Sequence, residues 1–424
     1  MSLNDKSICS NLNKPYIKII NKMIYNYNKV LLLGFAALMV SSLPACHDDN
    51  TDNSSSTESD VNKDELAVTS NYVDAVILPT YSHLKVSSQA LLDAVDKFVA
   101  SGTQADLNSA CAAWRTARID WESSEAFLFG PVENNNVDPT IDTWPLDADQ
   151  ISTYLSSDKI DLSVSTVRAN GLGINVSGFH TVEYLLFSDG QEREASSYTA
   201  RMKLYLQSTT TLLRDDCFAL WYTWVGTDNV TSSVDRALAD DISENSAAAS
   251  ILGSATAAGY GARLKNANIY DQSYKTQADC LNQLIDAAMD ITNEVGTSKI
   301  GGPHDANDVN QVESWQSWNS LIDYDNNIAS VQNAYMGTLN GTKEGSISDL
   351  DAVGGSYSLS AYIASRKPDI DKTIRADIKS ARQAIQTIPE PFRNNLQDPT
   401  VEKAMKALST LHDALKSAKS AIAE

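Results

Sequence analysis

From Glu65 to the end of the chain, apolar residues recur at steps of three and four, and no window sustains the alternation that a half-buried strand needs. That single periodicity restricts the chain to an all-α fold. Leu66, Tyr72, Val73, Val76 and Ile77 open the pattern, and Pro79 is expected to kink or divide that first helix. Leu84 to Val99 continues it up to Ser101-Gly102, with Thr103 as cap of a helix over about 104–128. Further helices are expected at about 148–156, 195–225, 230–253, 276–296, up to 336, 367–387 and 398–423. Helical segments in this number make two bundle-like halves, 65–230 and 231–424, meeting near residues 195–270.

Upstream of the periodic region the sequence changes character. Lysines at 6, 14, 18, 22 and 29 precede the apolar run Val30 to Val40, too short to span a membrane and suited to a signal peptide. Met1 and Met23 are alternative starts. Leu43-Pro44-Ala45-Cys46 resembles a bacterial lipobox, which implies cleavage after residue 45 and a lipid anchor on Cys46. Plain secretion is the alternative. The acidic His47 to Asp52 looks like the segment that sends lipoproteins of the Bacteroidetes type to the cell surface. The expected location is therefore the outer membrane, on its periplasmic or surface face. Residues 46–64 hold almost nothing to bury and read as a flexible tether.

Charge narrows the partners. The formal net charge is −21, and removal of residues 1–45 leaves 28 basic and 53 acidic residues, a net −25. Such a surface repels nucleic acid and anionic lipid and attracts cations. Cys111, Cys217 and Cys280 form neither a disulfide framework nor a zinc pattern, and are expected as small buried residues.

Two segments carry the chemistry. In Ser177-Gly178-Phe179-His180-Thr181-Val182-Glu183, His180 and Glu183 share a helix face within apolar surroundings. The H-E-x-x-H and H-x-x-E-H spacings of zinc peptidases are absent, because Thr181 and Tyr184 stand where they would need other residues. In Trp114 to Pro131, Trp114, Arg118, Trp121, Glu122 and Glu125 fall on one stripe. Arg118 and Glu122 also form an ordinary i,i+4 pair, which on an open surface contributes only about 0.3–0.5 kcal/mol. Asp142 lies in the loop Ile141-Asp-Thr-Trp144-Pro-Leu-Asp147, beside the aromatic Trp144. If these segments meet, one imidazole and up to four carboxylates make an oxygen-rich environment. It suits Fe²⁺, Fe³⁺, Mn²⁺ or Ca²⁺, with zinc also compatible, and like-charge repulsion would be relieved by an ion. A histidine satisfied within the core is the competing explanation.

These segments, with Glu313-Ser314-x-x-Ser317 and Asn326-Asn-Ile-x-x-Val-Gln-Asn-x-Tyr-x-Gly337, resemble the imelysin family over nearly all of residues 65–424. The resemblance implies an exported lipoprotein of two all-α domains with its site in a groove between them. It implies metal contacts at Glu122, Glu125, Asp142 and Glu183 beside His180. Gly178, Trp144, Arg118, Glu313 and Ser317 are expected to support the site or line the groove. Trp315-Gln316 and Trp318 depart from the commoner pattern of the second half. The family is catalogued among metallopeptidases and linked to iron uptake. The favoured expectation is a non-catalytic metal-binding protein of iron uptake, iron the foremost ion, with a metal or iron-containing ligand and other uptake components as partners. A metallopeptidase, and a surface protein that binds a peptide in the groove, are the alternatives.

Overall fold

The computed structural model describes residues 56–423, apart from 271 and 344. The signal peptide, Cys46 and most of the expected tether lie outside the described residues. The tether's end is corrected: helix α1 spans Ser56–Tyr72, so helical backbone begins before residue 64. Its last turns carry the buried Glu65, Val68, Thr69 and Tyr72, and that anchored end lets the polar turns ahead of it continue the helix.

Pro79 divides the next stretch as expected. A π-helical turn, Val73–Ile77, precedes α2 (Leu78–Ser101), with Pro79 in its first turn, where the missing N–H costs nothing. Gly102 closes α2 at φ 64°, and the Thr103 side chain caps α3 (Gln104–Glu122). The helix expected to reach 128 stops at Glu122, and Glu125–Phe127 forms a 3₁₀ turn instead. The loop toward residue 147 contains α4 (Val137–Asp142), then α5 spans Ala148–Ser156. Helix α6 (Gly178–Leu186) is followed by a two-stranded hairpin, β1 (Phe187–Ser188) and β2 (Gln191–Glu192), which the helical periodicity did not announce. Then come α7 (Ala200–Val225), α8 (Gln277–Glu294), α9 (Ser320–Met336), α10 (Leu359–Arg366), α11 (Pro368–Gln386) and α12 (Pro399–Ile422). The helix expected over 230–253 is broken into Ser233–Asn245 and Ala249–Leu252.

Helix α2 packs between α3 and α7, while α8, α11 and α12 pack as a second set with α9 against α11. The two sets are not separated at residue 230. Helix α1 lies on α8, α9 lies on α3, and residues 56–424 gather into one compact unit. Gln277 on α8 donates to Thr69 Oγ1 on α1 at 2.5 Å, a bond across 208 residues. Cys111, Cys217 and Cys280 are free and buried, as expected. No described helix is long and apolar enough to cross a membrane.

Candidate functional site

The site is built where α3, α4 and α6 meet α9 and the segment before it. Gly178 fixes the first junction. Its φ is +75°, and a Cβ there would sit 2.2 Å from the Ile141 carbonyl oxygen, so only glycine lets α6 start against α4. This close approach puts Asp142, at the end of α4, beside His180. The Trp114 indole donates to the Phe179 carbonyl at 3.0 Å and ties α3 to α6.

Arg118 is the centre. It is fully buried, and its guanidinium meets three carboxylates. Nη2 lies 2.5 Å from Glu122, Nη1 contacts Asp142, and Nε is 3.2 Å from Asp323 on α9. Burial works against its charge, but Asp142, Glu122 and Asp323 outweigh that and hold it firmly protonated. The ordinary exposed i,i+4 pair is thus ruled out, since Arg118 and Glu122 are both at 0% side-chain exposure. Such a buried cluster exists only because each charge has partners.

Asp142 also accepts from the Trp121 indole at 2.7 Å. Burial pushes its pKa up, but Arg118, His180 and Lys299 together hold it below the usual carboxylate range. Asp323 accepts from Ser314 Oγ at 2.5 Å and Asn319 Nδ2 at 2.6 Å. Burial still leaves its pKa raised. Asn327, one turn further along α9, donates to Glu122.

His180 does not point at an open position. Its Nδ1 is 3.2 Å from Glu183 and its Nε2 is 3.2 Å from Asp142, while Trp144 packs edge-on at 4.9 Å. Glu183 in turn accepts from the backbone N–H and the hydroxyl of Ser317, both at 2.8 Å. Arg115 braces the same segment through Asn319 and the Ser317 carbonyl, at 2.9 and 3.1 Å. His180 and Glu183 therefore join α6 to the chain ahead of α9.

Glu122, Glu125 and Asp142 are drawn together: one carboxylate oxygen from each lies within 4.8 Å of the other two. Glu125 reaches this group from the 3₁₀ turn, not from the helix. Neither His180 nor Glu183 is part of that trio. Burial raises the pKa of Glu122 and Glu125 well above the ordinary carboxylate range, against the opposing pull of Arg118 on Glu122 and of Lys299 on Glu125.

Lys299 is a further charge of the site that the sequence pattern does not single out. It ends a π-helical turn after α8, is 6% exposed, and lies 3.1 Å from Glu313 and 3.9 Å from Glu294. Burial opposes its charge, and Glu313, Glu125, Glu122 and Glu294 outweigh it. Glu313, expected near the groove, thus acts as the partner of Lys299. Arg118, Lys299 and His180 sit among the carboxylates of Glu122, Glu125, Asp142, Glu183, Glu294, Glu313 and Asp323.

An excess of buried carboxylates drawn to one point, with Glu122 Oε1 making no hydrogen bond despite its contact with Arg118, is a donor set that fits a hard, oxygen-seeking cation. It does not match a zinc peptidase, whose metal takes nitrogen from imidazoles, because both nitrogens of His180 face carboxylates.

The imelysin family profile matches residues 77–420. The chain belongs to the imelysin family. It is 28% identical over 348 residues to iron-regulated protein A of Synechococcus elongatus, which covers 81% of this chain and 83% of that one. A crystal structure described as a candidate iron-regulated protein A precursor, from Parabacteroides distasonis, is 31% identical, with TM-score 0.71 over 85% of this chain and 95% of the other. An imelysin-like protein from Psychrobacter arcticum, 14% identical with TM-score 0.53 over 84% and 94% of the two chains, shares the fold.

Proposed function

We propose that this imelysin-family protein is a non-catalytic, metal-binding lipoprotein that serves iron acquisition. The observation that carries it is the convergence of Glu122, Glu125 and Asp142 on one point inside a carboxylate-rich core. These three would hold the ion, which supplies the positive charge that Arg118 and Lys299 do not fully provide. Arg118 and Asp323 orient Glu122 and Asp142, and His180 with Glu183 fixes the neighbouring wall. Iron is the proposed ion because carboxylate oxygens suit it and because relatives are described as iron-regulated. Manganese and calcium suit the same oxygens and belong in the same titration.

The lipobox-like Leu43-Pro-Ala-Cys46 supports an anchor on Cys46 and an outer-membrane location. Palmitate labelling of the wild type, lost in Cys46→Ala, tests it; an unlabelled wild type would overturn it.

The metal assignment is tested by thermal stability in Fe²⁺, Mn²⁺, Ca²⁺ and Zn²⁺ after exhaustive chelation. An ion at about 100 times its Kd adds about 2.7 kcal/mol to a protein that binds it only when folded. The stabilisation should vanish in Glu125→Gln. No stabilisation of the wild type by any of these ions would overturn the proposal.

A further inference from the structure

Two polar atoms on α9 are buried without a hydrogen-bond partner in the protein, the hydroxyl of Tyr324 and the side-chain oxygen of Asn327. Both residues are at 0% exposure. An unsatisfied buried polar atom costs about 1–3 kcal/mol, so two on one helix face need a reason. They are three residues apart, hence neighbours on that face. The Asn327 amide donates to Glu122, which sets its oxygen beside the same carboxylate. Tyr324 lies one residue from Asp323, which meets Arg118 at 3.2 Å, and burial raises its hydroxyl's pKa well above the ordinary value, with the charges of Glu313, Lys299, Asp323 and Glu122 also acting on it.

Building on the metal assignment above, we propose that Asn327 Oδ1 and the Tyr324 hydroxyl are further, neutral oxygen donors to the cation held by Glu122, Glu125 and Asp142. A shell of carboxylates, an amide oxygen and a phenol selects hard cations over the nitrogen- and sulfur-seeking ones. It explains why a tyrosine, not a phenylalanine, packs edge-on against Phe392, where the ring alone would fill the space. It also explains why the α9 surface facing α3 is polar.

The test is calorimetric titration of full-length wild type, Tyr324→Phe, Asn327→Leu and Glu125→Gln with Fe²⁺ and Mn²⁺, with the melting temperature of each metal-free protein. Tyr324→Phe removes only an unpartnered hydroxyl, so its metal-free form should melt no lower than wild type. Its affinity for metal should fall tenfold or more, and Asn327→Leu should fall likewise. Wild-type affinity in Tyr324→Phe would overturn the inference while leaving the carboxylate site standing. A metal-free Tyr324→Phe that melts markedly lower would also overturn it, since the hydroxyl would then have a structural role. If wild type binds neither ion, the site falls and this inference falls with it.

Discussion

Arg118 is the residue on which the buried charges depend. It holds Glu122, Asp142 and Asp323 at once. Breaking a buried ion pair from one side costs about 3–5 kcal/mol. Arg118→Met should therefore lower stability by at least that amount, read as a shift in the denaturation midpoint; an unchanged midpoint would show that the three carboxylates are satisfied without it. The carboxylates around the cluster also predict an unusual pH response. Burial raises Asp138 to about 6, and Glu122 and Glu125 are raised as well. A raised carboxylate binds its proton more tightly folded than unfolded, so stability falls as pH climbs from the unfolded value, about 4, through the folded one. Metal-free protein should thus gain stability as pH is lowered from 7 toward 5, and Glu125→Gln should reduce that gain. Asp142, held low, loses its contribution only at more acid pH. At this scale spacing and aromatic neighbours single out Glu122, Glu125, Asp142, His180 and Glu183 in the sequence, and the structure draws the first three together while setting His180 against Glu183 and Asp142. The sequence did not disclose that Arg118 sits at the centre, because an i,i+4 pair looks the same on a surface and in a core. Lys299 was invisible for another reason. It lies in an irregular turn between Gly296 and Gly301, where no periodicity says which way a side chain faces.

Among the elements, α9 could have been recognised as part of the site. It is buried nearly all round, yet it is rich in polar residues, and Asp323, Asn327 and Ser330 recur among them at four and three residues, a polar stripe along one face. Each member meets the first half of the chain: Asp323 at Arg118, Asn327 at Glu122, and Ser330 accepting from the Ala126 N–H at 2.9 Å. The periodicity located α5 and the end of α9 correctly, because caps and breakers mark them. It overran α3 and missed the hairpin at Phe187, since tertiary contacts and not local preference decide those points. Ser314 and Trp318 have φ of +48° and +55°, and Gly190 in the hairpin turn leaves room for the Trp318 ring, so long-range packing shapes this segment. The junction of α4 with α6 is just as tight at Gly178. Gly178→Ala forces a strained φ and a backbone clash, and should cost at least about 1–3 kcal/mol. It should also shift the Trp144 fluorescence, because Asp142 and Trp144 follow α4; a variant with wild-type stability and spectrum would contradict the role given to this glycine.

On the scale of the whole molecule, the all-α class was plain from the sequence and the division into halves was not. Helix α1 packs on α8 across more than 200 residues of chain, and no composition shift reveals which helices will be neighbours. The charge of the molecule is directed as well as large. Asp290 and Glu294 stand one turn apart along α8, after an Asp286 that pairs with Lys419, and Glu294 ends 3.9 Å from Lys299 with about half its side chain exposed. Carboxylates so placed raise the local concentration of cations and repel anionic chelates. Association of Fe²⁺ or Mn²⁺ should therefore slow in the Asp290→Asn/Glu294→Gln variant at low salt, with dissociation unchanged, and the difference should shrink at high salt. Equal association rates at every ionic strength would remove this steering role.

The most direct test is a titration of chelated, full-length protein with Fe²⁺ under anaerobic conditions, beside Glu125→Gln. Saturable binding of one ion by the wild type, with a higher melting temperature and no such rise in Glu125→Gln, is the expected result. A wild type that takes up no ion, or a Glu125→Gln protein that binds as tightly as wild type, would contradict a metal centre at Glu122, Glu125 and Asp142.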